Sequence, residues 1–142
     1  MAQDSDALTG RCYCGEVRYR ITGDIQMRAF CYCRECQYIA GGGPNVAAMI
    51  ADDAFSYTQG APRSFARPDL DTPARREFCG TCGTHLVTRS PRAPGLVIVK
   101  VGSLDEPSRY GMPSIAVHTA ERQAYHCIPE GVAQFEKTPP RA

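Results

Sequence analysis

The sequence of 142 residues predicts a mostly β domain with many short strands. The first observation is that several short segments alternate apolar and polar residues, or are rich in β-branched residues, and are bounded by Gly, Pro and Asp. The second is that no long stretch has the apolar period of an amphipathic helix, and no internal repeat is evident. A chain of this length fits one core. We therefore expect a single domain over residues 1–142.

The predicted strands follow one another along most of the chain. They cover residues 16–22, 27–30, 45–51, 54–58, 86–89, 96–101 and 115–118. The segment 96–101 is the richest in β-branched residues and should be the most buried strand. Asp52 and Asp53 separate two of the strands and predict a hairpin. Residues 59–73 contain three prolines and predict a mobile loop, and a polar leader (1–9) and a tail (137–142) are expected to be flexible.

Charge and hydropathy argue against several classes of function. The net charge is +1 and charged residues of both signs are mixed along the chain, so neither nucleic acid nor an anionic membrane surface is an expected partner. No apolar run is long enough to cross a membrane, and the polar N-terminus lacks the features of a secretory signal. We therefore expect a cytoplasmic protein with reduced thiols, in which clustered cysteines bind metal rather than form disulfides.

Seven of the eight cysteines lie in three clusters. These are the pair Cys12 and Cys14, the triplet Cys31, Cys33 and Cys36, and the pair Cys79 and Cys82. Cysteines one or two residues apart on a tight turn can direct their sulfurs to a common point about 2.3 Å away, as thiolates around zinc do. A closed structural zinc site uses four protein ligands, whereas a catalytic site uses three and leaves one position open. Seven clustered thiols divide into one site of each kind, which predicts two zinc ions per chain.

Other interpretations of the cysteines stay open at this point. Cys79 and Cys82 form a C-x-x-C pair, which is a redox motif in a βαβ context, but the flanking sequence offers no such context. An iron–sulfur cluster on the middle triplet, or a second structural zinc completed by another residue, is also compatible with the spacing. Cys127 lies outside the clusters and is expected to be a small buried apolar side chain.

The cysteines lie in segments with a distinctive order and spacing. These segments are Gly-Arg-Cys-Tyr-Cys-Gly-Glu-Val-Arg-Tyr at 10–19, Cys-Tyr-Cys-Arg-Glu-Cys at 31–36 and Phe-Cys-Gly-Thr-Cys-Gly-Thr at 78–84. Together with residues 101–107 and 131–136, they resemble the glutathione-dependent formaldehyde-activating enzyme family. The resemblance implies an Mss4-like zinc-binding β-sheet fold of short antiparallel strands.

The resemblance also implies a division of labour between the clusters. The first and third clusters would hold a structural zinc through Cys12, Cys14, Cys79 and Cys82. The middle cluster would hold a catalytic zinc with an open position through Cys31, Cys33 and Cys36. The implied activity is that of a carbon–sulfur lyase similar to S-(hydroxymethyl)glutathione synthase, in which a glutathione-like thiolate adds to a small aldehyde such as formaldehyde.

Two positions depart from the family pattern, and several others are candidates for the site. Tyr32 stands where the family commonly has a histidine, and Tyr125 stands where a tryptophan is usual. The candidates for a fourth ligand are His118, His126 and Cys127. If one of them closes the open position, a non-enzymatic zinc-binding or chaperone-like module becomes the better interpretation.

Three further features have a candidate role in the same site. Arg34 could pair with a carboxylate of a glutathione-like substrate. His85 follows the third cluster directly and could hydrogen-bond a zinc-bound sulfur. The glycine-rich loop 41–43 could border the substrate, because it lets the backbone approach a ligand closely.

Overall fold

The computed structural model describes residues 6–139, which form eleven short strands and one short α-helix. The helix, α1, spans Arg34–Ile39. The strands are β1 (Leu8–Arg11), β2 (Arg18–Ile21), β3 (Met27–Cys31), β4 (Asn45–Ala51), β5 (Phe55–Gln59), β6 (Arg63–Phe65), β7 (Arg75–Phe78), β8 (His85–Arg89), β9 (Leu96–Lys100), β10 (Ile115–Val117) and β11 (Ala133–Gln134). The prediction of a mostly β fold is confirmed.

The strands form a small and a large sheet. The small sheet has the order β1-β2-β5, and the large sheet has the order β11-β10-β3-β4-β9-β8-β7-β6. Within the described residues the pairings are antiparallel, except that β10 runs parallel to β3 and β11. In the same range, no helix has the length and apolar character needed to cross a membrane.

The ends of the chain differ in part from the expected leader and tail. Residues 1–5 and 140–142, which include parts of both, lie outside the described residues. Leu8 and Thr9, expected in a polar leader, belong to β1 and pair with Ile21 and Arg20 of β2. Leu8 is buried in the core, which accounts for its place in a strand.

The core lies between the small sheet and one face of the large sheet. Val17, Tyr19 and Ile21, on or next to β2, are each 1% exposed, which confirms the alternating pattern predicted for that strand. They cluster with Ala48, Ile50, Val97 and Val99 of the large sheet. Val97 and Val99 are fully buried, but β8 is buried to the same extent through Leu86, Val87 and Thr88, so the segment 96–101 is not the single most buried strand. Burial of each such side chain contributes roughly 1.5–3 kcal/mol to stability.

The predicted hairpin between residues 45–51 and 54–58 is wrong. β4 pairs with β3 and β9, so both of its edges are occupied, and β5 pairs with β2 instead. A short 3-10 turn at Asp52–Ala54 carries the chain from one sheet to the other. Phe55 then packs against Tyr19, with ring centroids 5.1 Å apart. The segment 59–73, predicted to be a mobile loop, contains β6, which pairs with β7.

The other face of the large sheet carries α1 and the middle cysteine cluster. Cys31 pairs with Asn45 across β3 and β4, and Ala47 pairs with Lys100 across β4 and β9. Cross-strand partners share a face, as do residues two apart on one strand. Cys31 and Lys100 therefore lie on the same face, opposite the core residue Val99.

A register shift between β7 and β8 adds His85 to this second face. Glu77 pairs with Val87 and Phe78 pairs with His85, which leaves Leu86 as an extra residue. Such a bulge lets two successive side chains point to one side of a sheet. Leu86 and Val87 are both fully buried in the core cluster, so His85 is turned towards the face that carries Lys100.

Candidate metal centres

The four cysteines of the first and third clusters converge on one point. Cys14 Sγ lies 3.6 Å from Cys12 Sγ and 3.8 Å from Cys79 Sγ. These three sulfurs and that of Cys82 all lie within 4.8 Å of one another. Four sulfurs at about 2.3 Å from a tetrahedral zinc ion would be about 3.8 Å apart. The donor set and its spacing therefore fit a closed four-thiolate site.

Each of these cysteine pairs lies on a turn that a glycine closes. The Gly15 N–H donates to the carbonyl of Cys12 at 3.0 Å, and the Gly83 N–H donates to that of Cys79 at 2.9 Å. The two glycines have φ values of 82° and 79°, which other residues rarely adopt. Two turns of similar geometry thus face each other across the end of the core.

Hydrogen-bond donors surround the sulfurs of this centre. The Val17 N–H donates to Cys12 Sγ at 3.2 Å, and the N–H groups of Thr81 and Cys82 each donate to Cys79 Sγ at 3.4 Å. Thr84 Oγ1 lies 3.2 Å from Cys82 Sγ, and this hydrogen bond lowers the pKa of Cys82 to about 5. Donors directed at sulfur favour the thiolate form that binds metal.

The middle cluster forms a second convergence at the start of α1. Cys31 ends β3, Cys33 is the N-cap of α1, and Cys36 lies in its first turn. The N–H of Cys36 donates to Cys33 Sγ at 3.4 Å, and the three sulfurs lie within 4.8 Å of one another. Cys36 is buried, whereas Cys31 and Cys33 are partly exposed. The cluster is therefore accessible from one side.

The thiols of the middle cluster strongly influence each other's charge. Hydrogen bonds from Cys31 and Cys36 lower the pKa of Cys33 to about 2. The hydrogen bond to Cys33 in turn raises the pKa of Cys31. One thiolate is therefore favoured, and ionisation of all three requires a compensating cation. A divalent metal ion supplies such a charge, so these residues also fit zinc.

The two candidate histidines do not join this cluster, and within residues 6–139 no other His, Cys, Asp or Glu does. His118 Nδ1 lies 3.4 Å from Glu121 Oε2. His126 accepts at Nδ1 from the N–H of Gln123 at 2.8 Å, and its Nε2 lies 2.6 Å from the carbonyl oxygen of Gly42. Neither ring belongs to the group of three sulfurs, although the charge of His118 acts on Cys33.

The residues at the two departures from the family pattern hold the C-terminal segment in place. Tyr32 is fully buried, and its hydroxyl donates to the carbonyl of Cys127 at 2.7 Å. Tyr32 and Tyr125 both make edge-on contacts with the ring of His126, at 5.3 and 4.6 Å between centroids. The expectation of a buried Cys127 is wrong, because its side chain is exposed and lies outside both cysteine groups.

A cavity of about 490 Å³ lies beside α1, with Arg34, Tyr38, Phe65 and Arg76 in its lining. Arg34 Cζ lies 4.9 Å from the centre of the Tyr38 ring, and its Nη1 donates to Gln37 Oε1 at 2.6 Å. Tyr38 is 79% exposed. The cavity thus combines cationic and aromatic side chains.

A second cavity, of about 270 Å³, shares Ile39 and His85 with the first and is also lined by Lys100. Ile39 lies about one helical turn after Cys36, and therefore on the same side of α1. His85 packs against Phe78, with ring centroids 5.7 Å apart, and burial lowers its pKa. Burial also lowers the pKa of Lys100 to about 8, while the charge of Cys36 acts in the opposite direction.

Lys100 is the site residue that sequence reasoning missed. The available signal was a lysine at the end of the most β-branched segment of the chain, a position where a charged side chain is rarely buried without a partner. It is 8% exposed. The side chain therefore needs either a protein partner or a ligand.

Known proteins share both the sequence pattern and the fold. The sequence profile of the family described as glutathione-dependent formaldehyde-activating enzyme matches residues 7–121. A protein of Halomonas elongata named "Putative glutathione-dependent formaldehyde-activating enzyme" is 32% identical over 103 residues, which are 69% of this chain and 66%, just under two thirds, of that relative.

A solved structure gives the same result for the fold. The crystal structure of a Rhodobacter sphaeroides protein superposes with a TM-score of 0.59 and 22% identity, covering 74% of this chain and 96% of that chain. The family profile spans all seven clustered cysteines, and both candidate centres lie within the matched residues. The chain belongs to the glutathione-dependent formaldehyde-activating enzyme family.

Proposed function

We propose that the protein is a zinc-dependent carbon–sulfur lyase that joins glutathione to a small aldehyde such as formaldehyde and cleaves the same adduct in reverse. The observation that carries this proposal is the set of three converging thiols at Cys31, Cys33 and Cys36, which no fourth His, Cys, Asp or Glu of residues 6–139 completes. A three-ligand site leaves a position for substrate. The family membership supports the same substrates.

The two centres have different roles in this proposal. Cys12, Cys14, Cys79 and Cys82 hold a structural zinc that stabilises the fold. Cys31, Cys33 and Cys36 hold the second ion and keep one side of it open. When bound there, zinc would supply a Lewis acid and would favour the deprotonated form of a thiol near neutral pH. Thiolate ligands need reduced cysteines, which favours the cytoplasm as the location.

The reaction is an addition without any change of redox state. The substrate sulfur forms a bond to the carbonyl carbon, the C=O double bond becomes a C–O single bond, and the proton lost by the thiol ends on that oxygen. Arg34, which lines the cavity of about 490 Å³, would bind a carboxylate of glutathione. Tyr38 and Phe65, which line the same cavity, offer apolar surface to the peptide.

Exchange NMR tests this proposal on an equilibrium mixture of formaldehyde, glutathione and their adduct. Thiols add to formaldehyde without a catalyst, so the rate of exchange with protein must be compared with the rate without it. We expect the zinc-loaded protein to raise the exchange rate and to saturate with glutathione. The exposed Cys127 provides a matched control, because Cys127→Ser removes a thiol outside both centres and should leave the rate unchanged. Exchange at the uncatalysed rate with the zinc-loaded protein would refute the proposed activity.

A further inference from the structure

Two buried polar atoms on the face of the middle cluster have no hydrogen-bond partner within the described residues. They are Lys100 Nζ and His85 Nδ1, both shielded from solvent. An ammonium group without a partner or water is costly to bury. The protein therefore keeps a cation and a second polar atom in a place where no hydrogen bond within the described chain satisfies them, although the charge of Cys36 attracts the ammonium.

Both side chains line the same cavity of about 270 Å³. They come from the adjacent strands β8 and β9, and the bulge at Leu86 is what turns His85 to the face of Lys100. The cavity wall from α1 consists of Ile39 and Ala40, which follow Cys36 by about one helical turn. The cavity and Cys31 are thus on the same face of the sheet, although none of the three cysteines belongs to the cavity lining.

The side chains that line this cavity carry a net positive charge. Lys100 is part of it, and no Asp or Glu is. The carboxylate of α1, Glu35, lies 3.5 Å from the guanidinium of Arg76 and faces that group instead. Most of the remaining lining is apolar, including Pro44 and Val46. An apolar lining lowers the local dielectric, so the attraction within an ion pair formed here is stronger than in bulk solvent.

We propose that Lys100 and His85 form a subsite for a substrate carboxylate beside the middle cysteine cluster. Because Lys100 Nζ is shielded, it would reach a ligand in the cavity by a movement of its flexible four-carbon stem. In the tautomer with its proton on Nδ1, His85 donates to the second carboxylate oxygen. The subsite rests on the proposed function, because its ligand is a substrate of the proposed reaction. It implies that this substrate is a thiol or a carbonyl compound that bears a carboxylate.

Calorimetric titration of the zinc-loaded full-length protein tests the subsite. The probes are glutathione, its glycine ethyl ester and glyoxylate, which separate a carboxylate on the thiol from one on the carbonyl compound. Lys100→Met should weaken binding of the carboxylate-bearing partner about 10- to 100-fold, the usual loss for a charge-assisted hydrogen bond. Lys137→Met is the matched control, because Lys137 is an exposed lysine outside the cavity. It should bind like the wild type.

The two possible sources of the carboxylate give different patterns. If the glycine carboxylate of the thiol supplies it, Lys100→Met weakens the binding of glutathione, and the ester binds the wild type weakly. If the γ-glutamyl carboxylate supplies it, Lys100→Met weakens the binding of glutathione and of the ester alike. If the carbonyl compound supplies the carboxylate, Lys100→Met weakens the binding of glyoxylate instead. His85→Phe changes the subsite from β8 and should weaken the binding of the same ligand. The result therefore does not depend on the folding of a single variant.

Two results would overturn the subsite. One is unchanged binding of all three probes to Lys100→Met. The other is loss of zinc from folded Lys100→Met, which would make Lys100 a charge partner of the cysteines rather than of a substrate. Failure of the proposed reaction is a separate outcome, because calorimetry registers carboxylate binding whether or not the protein accelerates adduct exchange.

Discussion

Cys79→Ser is expected to yield a protein that does not fold. Cys79 is fully buried, and its sulfur lies 3.8 Å from Cys14 Sγ, so the substitution removes one of the four converging sulfurs from the candidate centre that joins the turns after β1 and β7. Binding of structural zinc contributes about 10–16 kcal/mol in small zinc domains, whereas a whole domain is stable by only about 5–15 kcal/mol. Circular dichroism and a thermal melt should show no cooperative transition.

The control for this prediction is the remaining cysteine. Cys127→Ser exchanges the same atoms at an exposed position outside both centres. Its melting temperature should match that of the wild type, because Tyr32 donates to the backbone carbonyl of residue 127 and not to its side chain. A cooperative melt of Cys79→Ser near the wild-type temperature would contradict a structural role for the first centre.

Cys36→Ser is expected to fold but to lose about one zinc ion and the adduct-exchange activity. Helix α1 keeps other anchors, since Gln37 Nε2 donates to the carbonyls of Tyr32 at 2.8 Å and Glu121 at 2.9 Å. Two thiols are too few to retain the ion in a three-ligand site. The exchange rate should fall to the uncatalysed value, while the melt stays cooperative. Elemental analysis and exchange NMR on the same sample provide the measurement.

Two outcomes would contradict this division of labour. If Cys36→Ser unfolds as completely as Cys79→Ser, both centres are structural. If it folds, loses one zinc ion and still accelerates exchange, the middle cluster does not carry the chemistry.

The local features of the site could be predicted from the sequence because they depend on short-range geometry. Cysteines spaced by one or two residues, followed by Gly15 or Gly83, determine the direction of their sulfurs within a single turn. Which pairs combine across 65 residues, as for Cys14 and Cys79, is a long-range property. The resemblance to the family supplied that pairing, and the sequence alone allowed only a division into four and three.

Strand partners could not be predicted in the same way. The alternating pattern at 54–58 shows that one side of a strand is buried, but it does not identify the neighbour. β5 pairs with β2 because both edges of β4 are occupied by β3 and β9. The bulge at Leu86 could not be predicted either, because it is defined only by the alignment of β8 with β7. The position of His85 beside Lys100 was therefore not visible in the sequence.

Zinc content per folded chain tests whether one centre is closed and the other is open. Elemental analysis of gently purified protein should give two zinc ions per chain. After a mild chelator, one should remain, with the circular dichroism spectrum unchanged. Two ions that leave only together with the fold, or one ion in total, would contradict an open second centre and favour a purely structural zinc module.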